Sequence, residues 1–129
     1  MAIELTDSQV TLSLPAGADL SSSQYHFVKL SGTGVIIVAG ATDAPIGILM
    51  NDPASGETAA IAVSGVVKVK SSGTIALGAL VGTTATGTAV SLTAGTDTTK
   101  FILGRAIKAA VANDIVTVAI NCASPARAA

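Results

Sequence analysis

The chain has 129 residues and half of them are apolar, but only 2% are aromatic, so its core is built from Ala, Val, Ile and Leu. Charged residues make up 12%, about half the usual share, and the formal net charge is −1. The scattered basic residues, with no aromatic residues among them, argue against direct nucleic-acid binding. The sequence shows no signal peptide and no run of 18 apolar residues, which predicts synthesis in the cytoplasm and no membrane span.

The N-terminal third alternates between strand patterns and turns. Residues 10–14 alternate apolar and polar side chains and predict a half-buried strand. Residues 21–30 predict a second strand whose buried face the pattern leaves open, and Asp19 before it fits the cap of a short helical turn. Residues 35–39 form a continuous apolar run, which is typical of a strand buried on both faces.

Strands in the middle of the chain are separated by turn residues. Residues 46–50 and 58–63 predict two strands, and a turn at Ser64–Gly65 is predicted to lead into residues 66–70. In that last run Lys68 and Lys70 share one face, which is predicted to be solvated. Asp52 fits an Asx turn and several glycines fit positions of positive φ. The predicted turn residues are Gly47, Asp52, Gly56, Gly65, Gly78 and Gly104.

Short runs continue to the C-terminus. Residues 89–92 alternate, residues 101–111 fit a strand better than a helix, and residues 114–121 predict a clean terminal strand. Many short strands with regular turns predict an all-β fold, a compact small barrel or sandwich of short antiparallel strands, with room for one short helix. The predicted organisation is a single β domain from 8 to 122, an N-terminal arm at 1–7 and a flexible tail at 123–129.

The sequence offers no catalytic, cofactor or metal site. His26 is the only histidine and has no evident orienting partner, and Cys122 is the only cysteine, so no internal disulfide can form. Asp43, Asp52 and Glu57 do not have the spacing of a calcium loop. No glycine-rich phosphate motif precedes a helix. Enzymatic function is therefore the least favoured class.

One segment is a candidate for contact with another chain. Ile3 and Leu5, in residues 2–7, are spaced to pair with a foreign sheet edge by strand addition, and a frayed terminus is the alternative. The low charge of the whole chain also indicates that part of its surface is buried against other subunits.

Three stretches, taken in order, resemble a known family. They are "ADLSSSQYHFVKLSGTG" at 18–34, "APIGILMNDPASGETAAIAVSGVVKV" at 44–69 and "ILGRAIKAAVANDIVTVAI" at 102–120. Together they are similar to the small cement, or head decoration, proteins of tailed bacteriophages. Ala79 departs from the family pattern, since an acidic or polar residue is expected after Gly78.

The resemblance implies a non-enzymatic capsid protein without a cofactor. Such proteins sit on the outer surface of an icosahedral head and bridge neighbouring major capsid subunits. Their partners are the major capsid protein and copies of themselves; most are homotrimers, and dimers are also known. The implied location is therefore the virion, after synthesis in the host cytoplasm.

Two other classes stay open. A β-rich carrier or binding module is suggested by the Gly-Val rhythm of "GVVKVKSSGTIALGALVG". Such carriers present a lysine at a hairpin tip, whereas Lys68 and Lys70 are predicted inside a strand. A receptor-binding domain of a phage tail would favour more exposed aromatic residues than this chain contains.

Overall fold

The computed structural model describes residues 9–129, which form eleven β-strands and no helix. This confirms the predicted all-β fold. Asp19 caps a turn instead of a helix, since its Oδ1 accepts a hydrogen bond from the Ser21 amide at 3.1 Å. The strands are β1 Val10–Pro15, β2 Phe27–Ser31, β3 Gly34–Ile37, β4 Gly47–Leu49, β5 Thr58–Lys70, β6 Leu80–Thr83, β7 Ala89–Leu92, β8 Phe101–Ile102, β9 Gly104–Ala106, β10 Ile115–Asn121 and β11 Ala126–Arg127.

Nine of these strands form one antiparallel sheet that curls into a half-barrel. Eight of them follow the order β3-β2-β4-β5-β10-β9-β6-β7, and β1 pairs with β5 beside that path. Strands β8 and β11 form a separate two-stranded sheet. The 13-residue β5 is the longest strand and pairs with β1, β4 and β10, so it organises the fold.

The predicted turn at Ser64–Gly65 is wrong, because β5 runs through these residues without a break. The register between β1 and β5 slips between Val10 and Thr11, and Gly65 has a φ of 113°. This is the geometry of a β-bulge, in which an extra residue changes the alternation of the strand. Ile61 and Val67 are an even number of positions apart and would share one face of an unbroken strand. Because of the bulge, Ile61 packs in one apolar cluster and Val67 in another.

The two clusters make up the core. The smaller one lies where β1, β3 and the first half of β5 meet. The main one lies under β10, β9 and the second half of β5. The smaller cluster contains Ala16, Leu20, Val28, Val35, Leu49, Ala59 and Ile61. The main cluster contains Phe27, Val38, Ile48, Ala62, Val67, Val69, Ile75, Val81, Ala89, Leu103, Ala106, Ala110, Val116, Val118, Ile120 and Cys122.

Two of the predicted turn glycines lie inside strands. Gly47 is buried in β4, and a Cβ there would come within 3.0 Å of the Ala62 carbonyl oxygen on β5. Gly104 begins β9, and a Cβ there would come equally close to the Ala119 carbonyl oxygen on β10. Both predictions of a turn are wrong, since the absent side chain lets neighbouring strands approach.

The other predicted turn residues lie outside the strands. Gly56 and Gly78 occupy turns, with φ of 84° and 81°. Asp52 lies in the loop before β5, but its neighbour Asn51 holds this loop to the strand. The Asn51 side chain accepts a hydrogen bond from the Ala60 amide and donates one to the Thr58 carbonyl, both at 3.0 Å.

The expectation of a dangling C-terminal tail is also wrong. Residues 126–127 form β11 against β8, and the Arg127 guanidinium lies 4.4 Å from the centre of the Phe101 ring. Ala128 is only 1% exposed, and its amide donates to the Lys100 carbonyl. The end of the chain is therefore packed onto the domain.

Candidate interaction surface

Among residues 9–129, the side of β5, β10, β9 and β6 that faces away from the main cluster is a largely exposed sheet surface, which we call the outer face. Cross-strand pairing sets its layout, since residues directly opposite each other share a face. Val66, Ala119, Arg105 and Leu80 form one row across the four strands. Lys68 lies opposite Thr117, and Lys70 lies opposite Ile115. Ile107 borders the face, because its amide donates a hydrogen bond to the Thr117 carbonyl. The outer face consists of Val66, Lys68, Lys70, Leu80, Arg105, Ile107, Ile115, Thr117 and Ala119.

Strand alternation explains why these side chains point outward. In β10 the residues Val116, Val118 and Ile120 are buried in the main cluster, so the residues between them point to the other face. In β5, after the bulge, Val67 and Val69 are buried. The predicted solvation of the lysine face of this strand is therefore confirmed, with Lys68 exposed and Lys70 half-buried.

Large aliphatic side chains are exposed on this face. Val66, Ile107 and Ile115 are 44%, 43% and 46% exposed. The solvated side of an antiparallel sheet is ordinarily polar, and clustered exposed aliphatic residues mark contact surfaces. Two further aliphatic residues in loops next to these strands are exposed, Leu77 at 70% and Val111 at 58%.

Both neighbours are held beside the sheet by hydrogen bonds. The Gly78 amide donates to the Ala106 carbonyl, which fixes the turn that carries Leu77 next to β9. The Ser71 hydroxyl donates to the Val111 carbonyl, which fixes that residue beside the end of β5. Leu77 and Val111 are thus exposed at defined backbone positions.

The charge of the outer face is positive. Lys68, Lys70 and Arg105 belong to it, and none of them forms an ion pair in the described part of the chain. The Arg105 guanidinium instead donates to the Gly78 carbonyl at 3.0 Å. Asp114, which precedes Ile115 of this face, accepts a hydrogen bond from the Val111 amide. The face therefore combines aliphatic contact area with unpaired cations.

A second surface has the opposite charge. Residues 16–20 and 51–57, which we call the acidic loops, are joined by backbone hydrogen bonds from the Leu20 amide to the Pro53 carbonyl and between residues 16 and 56–57. Asp19, Asp52 and Glu57 are exposed there, and neither segment contains Lys or Arg. No ion pair within residues 9–129 involves these three carboxylates.

β5 separates the two surfaces. It begins at Thr58, next to the acidic loops, and reaches Lys68 ten residues later. At about 3.3 Å per residue this separation is roughly 33 Å. The Debye length at physiological ionic strength is about 8 Å, so the two surfaces do not neutralise each other within one chain.

The single histidine and the single cysteine show no sign of catalytic activation. The Nδ1 atom of His26 lies 3.0 Å from the Gln24 carbonyl oxygen. Burial raises the pKa of the Cys122 thiol to about 12, so the thiol is protonated at neutral pH. Within residues 9–129 no group of three metal-binding side chains occurs.

Asp43 has a structural role instead of a metal-binding one. Its Oδ2 accepts hydrogen bonds from the Ala39 and Gly40 amides at 2.7 and 3.1 Å and from the Lys29 ammonium at 3.0 Å. The Ala39 amide and then the Lys29 side chain lower the pKa of this carboxyl below 3.8. The carboxylate therefore holds the loop between β3 and β4.

Two further sequence predictions bear on the site. Ile3 and Leu5 lie outside the described residues, so their predicted contact role stays a prediction. Lys68 and Lys70 lie inside β5 and not at a hairpin tip, which removes the lysine placement that a biotinyl-type carrier needs. Within residues 9–129 no helix has the length and apolar character needed to cross a lipid bilayer.

Comparison with known proteins identifies the family. The family model described as phage cement protein matches residues 6–122, which is most of the chain. The chain belongs to the phage cement protein family. Its fold is similar to that of the head fiber gp8.5 N base in bacteriophage phi29, with a TM-score of 0.65 and 19% identity over 88% of this chain and 94% of the other. No curated protein matches. The family membership makes this chain a structural, capsid-associated phage protein.

Proposed function

We propose that the chain binds the outer surface of a tailed-phage head and bridges neighbouring major capsid subunits, as a non-enzymatic homotrimer. The observation that carries this proposal is the cement family match over residues 6–122. The outer face supports the self-association part of the proposal, because it offers exposed aliphatic residues and unpaired cations for contact with another chain. In this proposal the chain is made in the host cytoplasm and ends in the virion.

The size of the outer face sets the strength of any single contact. Four strands and three rows of side chains span about 14 Å by about 13 Å, or roughly 200 Å². A stable interface buries about 800 Å² on each partner, so the face needs adjoining loops or the N-terminal arm to complete a contact. Many copies on one head convert modest single contacts into strong collective binding.

The chemistry of the described residues supports a structural role. The histidine hydrogen-bonds a backbone carbonyl, and the thiol of Cys122 is buried and protonated. Neither arrangement activates a nucleophile, which requires an adjacent base or a lowered pKa. Reinforcement of the shell depends on contact area and copy number, which the chain can provide without such groups.

The proposal is tested by mixing the purified protein with emptied, expanded heads and sedimenting the mixture. We expect saturable binding at a fixed number of copies per head, and a higher rupture temperature for saturated heads. Light scattering of the free protein measures its oligomeric state. Binding without any change in rupture temperature would contradict bridging, and failure to sediment with heads would contradict the function itself.

A further inference from the structure

The outer face and the acidic loops are complementary surfaces of the same chain. One carries Lys68, Lys70 and Arg105 and no carboxylate, and the other carries three exposed carboxylates and no cation. Most other charges of the described residues are already paired or stacked: Lys29 with Asp43 at 3.0 Å, and Lys100 with Asp97 at 3.2 Å. Six unpaired side-chain charges are thus sorted by sign onto two regions, whereas Lys108 and Asp114, which also form no ion pair in the described residues, lie outside both.

Only a second copy can bring these two regions together. They are roughly 33 Å apart along β5, which is about four Debye lengths at physiological salt. Charge complementarity steers association and fixes the register of an interface, while the aliphatic residues supply contact area. The acidic loops carry small exposed apolar residues, Ala18 and Ala54, that can approach Val66 and Ile115 closely.

We propose that the outer face binds the acidic loops of a second copy of this chain, in a head-to-tail contact. A contact between two different surfaces is heterologous, and repetition of it closes into a ring when the rotation per step allows. Three copies would then place three such contacts around one axis. The inference rests on the self-association part of the proposed function and assigns the residues of that contact.

The test uses the full chain and two charge-reversed variants. Lys68→Glu with Lys70→Glu makes the outer face acidic, and Asp19→Lys with Asp52→Lys makes the loops basic. Three of these side chains are exposed and that of Lys70 is half-buried, and none of the four forms an ion pair in the described residues. The fourfold variant restores the original net charge. Thr42→Glu with Ala44→Glu, at exposed positions of the β3–β4 loop, is the control for added negative charge.

Self-association is measured by analytical ultracentrifugation without heads. We expect each twofold variant to associate at least about tenfold more weakly than wild type, because like charges then face each other. The fourfold variant should regain wild-type assembly, and the control should keep it. An equimolar mixture of the two twofold variants should form 1:1 complexes, since each supplies the surface that the other has lost. A ring of three cannot alternate two kinds of subunit, so these complexes should have an even number of chains.

Several results would overturn the proposal. The proposal is wrong if Lys68→Glu with Lys70→Glu assembles like the wild type, or if the wild-type chain is a monomer. It is also wrong if the fourfold variant folds but stays dissociated. Circular dichroism establishes folding in each case. Loss of head binding with unchanged self-association would assign the outer face to the shell instead. The proposed function fails separately, if wild-type protein assembles but does not sediment with heads.

Discussion

Replacement of Gly47 by alanine should destabilise the protein strongly, although it adds one methyl group. Gly47 lies in β4, where all three residues are buried, and its missing side chain faces the Ala62 carbonyl oxygen on β5. A Cβ at this position would come within 3.0 Å of that oxygen, a separation that real Cβ atoms essentially never show. The obstacle is backbone in the central strand, so it cannot move aside as a flexible side chain would.

The size of the destabilisation follows from the groups that the added Cβ would displace. Separation of β4 from β5 would disturb Ile48 and Leu49, which are fully buried and belong to different clusters. Overpacking in a well-packed core costs about 1–3 kcal/mol, and the rigid obstacle places this change near the upper end, at about 3 kcal/mol. For a domain of this size that loss corresponds to a fall of about 12 °C in Tm.

Thermal and urea unfolding followed by circular dichroism measure the effect. Gly73→Ala is the matched control, because a Cβ there meets nothing within 4 Å, and its stability should stay within about 0.5 kcal/mol of wild type. If Gly47→Ala and Gly73→Ala unfold at the same midpoint, the close approach of β4 and β5 is not what requires glycine at position 47.

Three further predictions concern the arm, acid stability and the thiol. Ile3→Asp with Leu5→Asp should weaken sedimentation with heads at least about tenfold while the melting curve stays unchanged; unchanged binding would remove the arm from the contact. The pKa of Asp43 is lowered in the folded state, so this carboxylate stabilises the fold above about pH 3.8, and the stabilisation is lost as the pH falls through the pKa of the folded protein. Asp43→Asn should therefore make the urea midpoint depend less on pH between pH 2 and 5. Parallel pH dependences for the variant and the wild type would contradict this. Cys122, with a pKa of about 12, should resist a thiol reagent at pH 8 until the protein is unfolded; rapid native labelling would contradict its burial.

The sequence is sufficient to predict strands where one face is buried and the other solvated. Residues 10–14 alternate apolar and polar side chains, residues 89–92 do so in part, and residues 114–121 are rich in β-branched side chains; each set forms a strand of the sheet. Residues 75–77 are all apolar but form no strand, and Ile75 forms a single β-bridge with Ala110. A three-residue run contains too few alternations to separate a strand from a buried loop.

The errors at glycines and at the C-terminus have one physical cause. The sequence predicts turns at Gly47, Gly65 and Gly104 because glycine is common in turns, whereas these glycines permit close strand contact or a bulge. β11 has only two residues, which is too short for any periodicity. In both cases the conformation depends on a strand that is distant in the sequence, and local sequence patterns carry no information about that strand.

The candidate surface was predictable only in part. The solvated face of Lys68 and Lys70 follows from alternation within one strand. Their neighbours Ile115 and Thr117 are more than 40 positions away and join them only through the pairing of β5 with β10. The outer face is therefore a product of topology.

The bulge in β5 has a consequence for how the protein opens. Before the bulge the strand anchors the smaller cluster through Ile61, and after it the strand anchors the main cluster through Val67 and Val69. Neither cluster can separate from the rest without displacing the strand that supports the other. Amide hydrogens on both halves of β5 should therefore exchange with solvent only through global unfolding, as one cooperative unit. Strain applied to either half of the domain is then resisted by the whole unit, because no weaker half can yield first.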